Sequence, residues 1–100
     1  MEITESRCEE ELTLKVEGRI DTNTSRQLQE KLLLAFQKAG GVVLDLAGTD
    51  YISSAGLRVL LIGAKTAKAK QAGFVLIHVQ SRVNEVIRMS GFHQFLDIRQ

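Results

Sequence analysis

Ser53 and Ser54 stand side by side in "DYISSAGLRVLL" (Asp50 to Leu61), with Gly56 two residues beyond Ser54 and a helically spaced apolar run behind them. A hydroxyl so placed can cap a helix, attack a substrate, cradle a phosphate or receive one, and each role demands different neighbours. A nucleophile elbow requires glycine two residues before and two after the serine, because the strained strand-to-helix turn leaves no room for side chains. With Ser54 as nucleophile, Gly56 fits but Ile52 occupies the earlier position. A serine nucleophile also wants a histidine base, and the chain holds only His78 and His93. His78 interrupts the apolar "FVLIHV" and is expected as a hydrogen-bonded core or edge imidazole. His93 follows "SGF" in a turn and is expected to be solvated.

A Walker loop needs spaced glycines followed by lysine and a hydroxyl. "AGTDYISSAGLR" supplies no such lysine, and the chain has no GxGxxG. The single cysteine, Cys8, and two histidines far apart give no metal spacing, so no metal and no cofactor is expected. Free amides at a helix N-terminus still attract anions, which keeps weak nucleotide or phosphate binding as a competing reading. Asp45, within an apolar run, and Asp50, in a loop, read as a strand-end residue and a turn former.

Capping fits better. Ser53 occupies the N-cap position, where its oxygen accepts from the amide of Ala55 or Gly56 and contributes on the order of 1 kcal/mol. Ser54 is then the first helical residue, pointing outward at the carboxyl edge of the sheet, where open α/β folds bind ligands and partners. Gly56 is expected to keep the approach to Ser54 clear. A phosphate there would add roughly −1.5 to −2 charge, tolerated by the helix dipole and the free amides but hostile to any interface packed over it. From pattern alone, the plainer reading that both serines are caps stays open.

The elements that hold these residues follow from periodicity. In "LTLKVEG", Leu12, Leu14 and Val16 alternate with Thr13, Lys15 and Glu17, a strand with one wet face, and "EITES" pairs with it through an acidic turn at Glu9 to Glu11. In "DTNTSRQLQEKLLLAFQKAGG", Leu28, Leu32, Ala35, Phe36 and Ala39 recur at helical spacing, with Asp21, Asn23 and Thr24 competing for the cap and Gly40 and Gly41 as the stop. "VVLDL" (Val42 to Leu46) and "FVLIHV" (Phe74 to Val79) are continuous apolar runs, the mark of parallel strands buried on both faces. The helix from Ser53 to about Lys70 crosses between them, with Leu57, Leu60, Leu61, Ala64 and Ala67 as its buried face. A last helix is capped by Ser81, buries Val83, Val86 and Ile87, and ends at a left-handed Gly91. The expected fold is α/β: a small mixed sheet of four to five strands carrying three helices, in the order β-β-α-β-α-β-α with a short final strand. Right-handed crossovers join the parallel strands.

Composition narrows the partners. A net charge of +1 and 5% aromatic residues offer neither a nucleic-acid groove nor a stacking platform, so no nucleic-acid partner is expected. No apolar span suggests membrane insertion and no signal peptide is evident, which makes the cytoplasm the expected compartment. No proline, linker or repeat marks a boundary, so residues 1–100 read as one domain.

Taken together, "GRIDTNTS", "VVLDLAGTDYISSAGLRVLL", "GFVLIHV" and "RVNEVIRMSGF" resemble the STAS domains, particularly the bacterial anti-sigma factor antagonists, over nearly the whole chain. Laid on the family's phosphorylation motif, Ser54 takes the phosphoacceptor position, followed by Ala55, Gly56 and Leu57. Ser53 stands where many members have aspartate; it is the runner-up acceptor, and the departure makes kinase recognition a question for this member. Asp21, with Thr22 beside it, matches the acidic loop residue before the first helix. The resemblance implies a non-enzymatic binding module that engages an anti-sigma factor with serine kinase activity. Phosphorylation by that kinase ends the complex, and a serine phosphatase restores it.

The implied partner surface comprises Asp21, Thr22, Ser53, Ser54, Gly56 and Arg58. It extends to Val59 and Ile62, which with Thr66 form a second apolar stripe that faces either a partner or a neighbouring helix. Two alternatives accompany this reading: a constitutive STAS subunit of a larger assembly, stressosome-like or lipid-transporting, and a weak nucleotide-binding protein.

Overall fold

The computed structural model describes residues 1–100. Strands β1 (Glu2–Cys8) and β2 (Glu11–Glu17) form an antiparallel hairpin whose turn holds Glu9 in a left-handed conformation, φ 56°. There follow α1 (Thr24–Lys38), β3 (Gly41–Gly48), α2 (Ser54–Lys70), β4 (Gly73–Ile77), α3 (Ser81–Met89), a 3-10 turn (Phe92–Gln94) and β5 (Asp97–Arg99). The strands lie in the order β1-β2-β3-β4-β5, with every pair after the hairpin parallel. This is the expected mixed sheet with three helices.

The order dictates a one-sided molecule. Each crossover steps to the adjacent strand in the same direction, so a constant right-handed sense places every helix on one face of the sheet. Burial follows that geometry. Leu12, Leu14, Val16, Val42, Leu44, Leu46, Phe74 and Leu76 face the helices and are buried, whereas Thr13, Val43, Asp45, Val75 and Ile77 on the opposite face are only half-buried. The expectation that β3 and β4 are covered on both faces is therefore corrected. Their apolar runs fill one core and leave a second face without helices.

Helix α2 is rotated relative to the hydrophobic pattern. Its buried residues are Gly56, Leu57, Val59, Leu60, Gly63 and Ala67, while Leu61 and Ala64 are only half-buried. The cause is the glycines, which carry no hydrophobic signal yet face inward. A Cβ on Gly63 would stand 2.8 Å from Leu32 Cδ2 and 2.9 Å from Phe74 Cε2. Absence of that carbon lets α2 settle onto α1 and β4, where Phe36 and Phe74 meet edge to face at 5.6 Å.

Three smaller expectations also change. β4 stops at Ile77 because His78 adopts φ 55°, which breaks the extended run before Val79. Ser81 is the first residue of α3, and Gln80 takes the cap position without a side-chain bond. Val86 is exposed at 37%, so the nine-residue helix buries only Val83 and Ile87, one turn apart. Gly91, at φ 82°, closes α3 as expected.

Candidate functional site

Two loops meet at the carboxyl edge of the sheet. Ile20, after β2, and Ile52, after β3, form an isolated parallel bridge: the Ile20 amide donates to the Tyr51 carbonyl at 3.0 Å, and the Ser53 amide donates to the Ile20 carbonyl at 2.8 Å. Both isoleucines are buried. This clasp brings the Asp21 loop alongside the start of α2, two segments more than thirty residues apart in sequence.

From that anchor the serines separate. Ser53 is extended (φ −91°, ψ 174°), its hydroxyl accepts from the Gly56 amide at 3.2 Å and its carbonyl accepts from the Leu57 amide at 2.9 Å. It is the N-cap of α2, with Gly56 the amide it satisfies. Ser54 begins the helix and is exposed. No hydrogen bond ties its hydroxyl to the chain, and the amides of Ser54 and Ala55 keep no backbone partner, as the first turn of a helix requires.

Asn23 stands at the N-cap position of α1 without a side-chain bond, and Asp21, two residues earlier, supplies the capping contacts. Its Oδ1 accepts from the Asn23 amide at 3.0 Å and the Thr24 amide at 2.9 Å, and its own amide donates to Thr24 Oγ1 at 2.8 Å. This is a reciprocal capping box with threonine in the usual glutamate position. The Thr24 hydroxyl donates to the Arg19 carbonyl at 2.7 Å and lies within hydrogen-bond reach of Asp21 Oδ1 at 3.1 Å. The Thr24 amide above all, then the Thr24 hydroxyl, holds the Asp21 carboxyl below its ordinary value.

Of the remaining residues proposed for a partner surface, Thr22 and Arg58 are exposed. Gly56 and Val59 are corrected. Gly56 does not open the approach to Ser54; it faces the clasp, where a Cβ would lie 2.6 Å from Ile20 Cγ2 and 2.7 Å from Ile52 Cγ1. Val59 is a core residue at 3% exposure, while Ile62 and Thr66 are half-buried, so only the Val59 end of the second stripe packs inward. The sequence reading missed the rim of the site, where the Arg19 guanidinium lies 4.2 Å from the ring centre of the exposed Tyr51. An arginine before Ile20 and a tyrosine before Ile52 were the available signal, since the bridge makes them neighbours.

Neither histidine serves Ser54. His78 lies exposed at the end of β4, its Nδ1 3.1 Å from Asp45 Oδ1, which makes it the expected edge imidazole. His93 is not solvated as expected: it is half-buried in the 3-10 turn, and its Nδ1 is shielded without a partner. No helix is long and apolar enough to cross a membrane.

A mixed sheet with helices on one face, and an exposed serine at the start of a capped helix, define a small α/β domain. The chain belongs to the STAS domain family: the model described as "Mlab, STAS domain" matches residues 3–98. It is 38% identical over 93 residues, 92% of this chain and 80% of the relative, to a Bordetella bronchiseptica protein provisionally named anti-sigma factor antagonist BtrV. It is 29% identical over 86 residues, 84% of this chain and 75% of the relative, to the anti-sigma-B factor antagonist of Listeria monocytogenes. In structure it is similar to the anti-sigma factor antagonist SpoIIAA in its unphosphorylated form, with TM-score 0.81 and 17% identity over 99% of this chain and 89% of the other. The phosphorylated form of Bacillus SpoIIAA gives TM-score 0.75 and 16% identity, covering 99% and 92%.

Proposed function

We propose that this chain is an anti-sigma factor antagonist that acts in the cytoplasm as a binding module rather than an enzyme. Unmodified, its surface around Ser54, Arg58 and the Asp21–Thr22 loop engages an anti-sigma factor that is also a serine kinase, and so frees a sigma factor. Phosphorylation of Ser54 ends the complex, and a serine phosphatase renews it. The observation that carries this reading is the division of labour at the start of α2. Ser53 does the capping, so the exposed Ser54 hydroxyl is free of any structural duty.

The physics of the switch is local. A dianion at the first residue of α2 is stabilised by the helix dipole and the free amides of the first turn, so the fold persists. A partner seated over Ser54 would instead have to bury unneutralised charge. The names of the two curated relatives support the role, and SpoIIAA, solved with and without phosphate, supports the kind of switch. Incubation with the purified anti-sigma factor kinase of the same cell and ATP, followed by mass-spectrometric mapping, tests it: phosphate on Ser54 is expected. Modification at Ser53, or none, would overturn the assignment.

A second reading is a constitutive subunit of a larger assembly, motivated by Ser53 in place of the aspartate of the motif. It predicts no phosphate in the same experiment and a stable complex that survives ATP.

A further inference from the structure

Helix α2 bears Arg58, Lys65, Lys68 and Lys70 and not one acidic residue, in a chain whose net charge is only +1. None of these four cations takes part in an ion pair; those present join Lys38 to Glu5 and Arg99 to Asp97. The helix dipole accounts for Lys68 and Lys70 in the last turn, but it fades within one turn of either end and gives no reason for a cation at Arg58 or Lys65. Those two charges are therefore not placed by the dipole.

Ser54, Arg58, Leu61, Lys65 and Lys68 follow one another at four- and three-residue steps and so lie on one stripe of the helix. At 1.5 Å per residue the stripe runs roughly 21 Å from Ser54. Each member is exposed except Leu61, which is half-buried. Beside its far half lies a groove of about 600 Å³ between α2 and the 3-10 turn, lined by Leu61, Ala64, Lys65, Lys68, Gln94 and Phe95. Its apolar floor includes Phe95, exposed at 61%, and its charged lining is wholly cationic.

We infer that this groove and stripe seat an acidic amphipathic helix of the protein partner, an extension of the surface that begins at Ser54. Only the identity of the partner rests on the reading proposed above. The complementarity is specific: Leu61, Ala64 and Phe95 receive the apolar edge, and Arg58, Lys65 and Lys68 face carboxylates along its flank. An acidic flank would also steer the partner toward Ser54 from a distance, because unpaired like charges along one stripe add.

The test uses the unmodified, ¹⁵N-labelled chain and two synthetic helical peptides of roughly five turns with leucines at i, i+3, i+4 and i+7. One carries glutamate at its remaining positions; its twin carries lysine. Saturable amide shifts at Leu61, Ala64, Lys65, Lys68 and Phe95 are expected with the acidic peptide alone. Its affinity should fall at least about tenfold when Lys65→Glu and Lys68→Glu are combined, in a variant that keeps the folded amide spectrum and loses only the small stability that Lys68 gains from the helix dipole. Equal binding of the lysine peptide, or shifts that map elsewhere, overturns the inference. So does a response of these residues to phosphatidylglycerol vesicles but not to the acidic peptide, which would make the stripe a lipid-facing surface. No kinase enters this experiment, so its failure is distinguishable from a failure to phosphorylate Ser54.

Discussion

Ile20 and Ile52 meet in a single parallel bridge, and Gly56 closes over both. The Ile20 carbonyl receives the Ser53 amide at 2.8 Å, while Gly56 presents bare backbone where a Cβ would stand 2.6 Å from Ile20 Cγ2 and 3.2 Å from the Ile20 carbonyl oxygen. Cap, clasp and close approach thus converge within the five residues Ile52 to Gly56, and the position of Ser54 is their joint product.

Gly56→Ala forces the clasp apart, because the two nearest obstacles are the buried Ile20 and Ile52 side chains and the third is the Ile20 carbonyl oxygen. Overpacking of this kind costs typically about 1–3 kcal/mol. Urea denaturation should show a loss in that range, with amide exchange faster at Ser53 than at core strand positions such as Leu44. Gly63→Ala meets Leu32 and Phe74 at comparable distances and should cost a similar amount while leaving the clasp intact.

Ser53→Ala removes the acceptor of the Gly56 amide and should cost about 1 kcal/mol. Ser53→Asp keeps the acceptor and adds negative charge at the positive end of α2. Its stability should equal or exceed that of the natural chain by about 0.3–1 kcal/mol at low ionic strength, and the gain should shrink as salt is added. Equal stability of the alanine and aspartate variants would refute the capping role.

Most of the architecture was legible because it is written in apolar periodicity: the alternation of Leu12, Leu14 and Val16 and the run at Val42 to Leu46 each became the expected strand. Where the reading failed, the deciding residues had no hydrophobic signature. Gly56 and Gly63 turn α2 by making close approach possible, which buried Val59 and pushed Leu61 toward the surface. The one-sided sheet follows from the order of five strands, a property no local window contains. The clasp joins two isolated isoleucines in irregular segments, so only Asp21 and the serines, which are recognisable by cap chemistry, announced that edge.

Asp21 should make stability depend on pH. Its folded-state pKa is depressed, chiefly by the Thr24 amide, so the native state favours the carboxylate more than the unfolded chain does. The stabilisation it supplies is therefore fully present above the ordinary carboxylate pKa of 3.8 and is lost as pH falls through the lower folded value. Asp21→Ala should lower the urea midpoint at neutral pH, and the gap between the two proteins should narrow steadily once the solution is acidified below that range. A gap that stays constant with pH would show that the cap acts through shape alone and not through its charge.

Ser54 should be the one position at this edge where binding and stability part company. Its hydroxyl holds nothing in the fold, so Ser54→Ala should shift unfolding stability by no more than about 0.5 kcal/mol, the range of ordinary surface changes. Ser54→Asp should be at least as stable, since a carboxylate at the start of α2 meets the positive end of the helix. Binding to the anti-sigma factor should respond quite differently. The alanine variant should bind within a few-fold of the natural chain and accept no phosphate, whereas the aspartate variant should lose binding by two orders of magnitude or about 2.7 kcal/mol, the cost of a buried unpaired charge. Calorimetric titration of the three proteins against the same partner checks this directly. Comparable affinity for alanine and aspartate would mean that the partner does not pack over Ser54, and the switch would have to be sought on another face of the molecule.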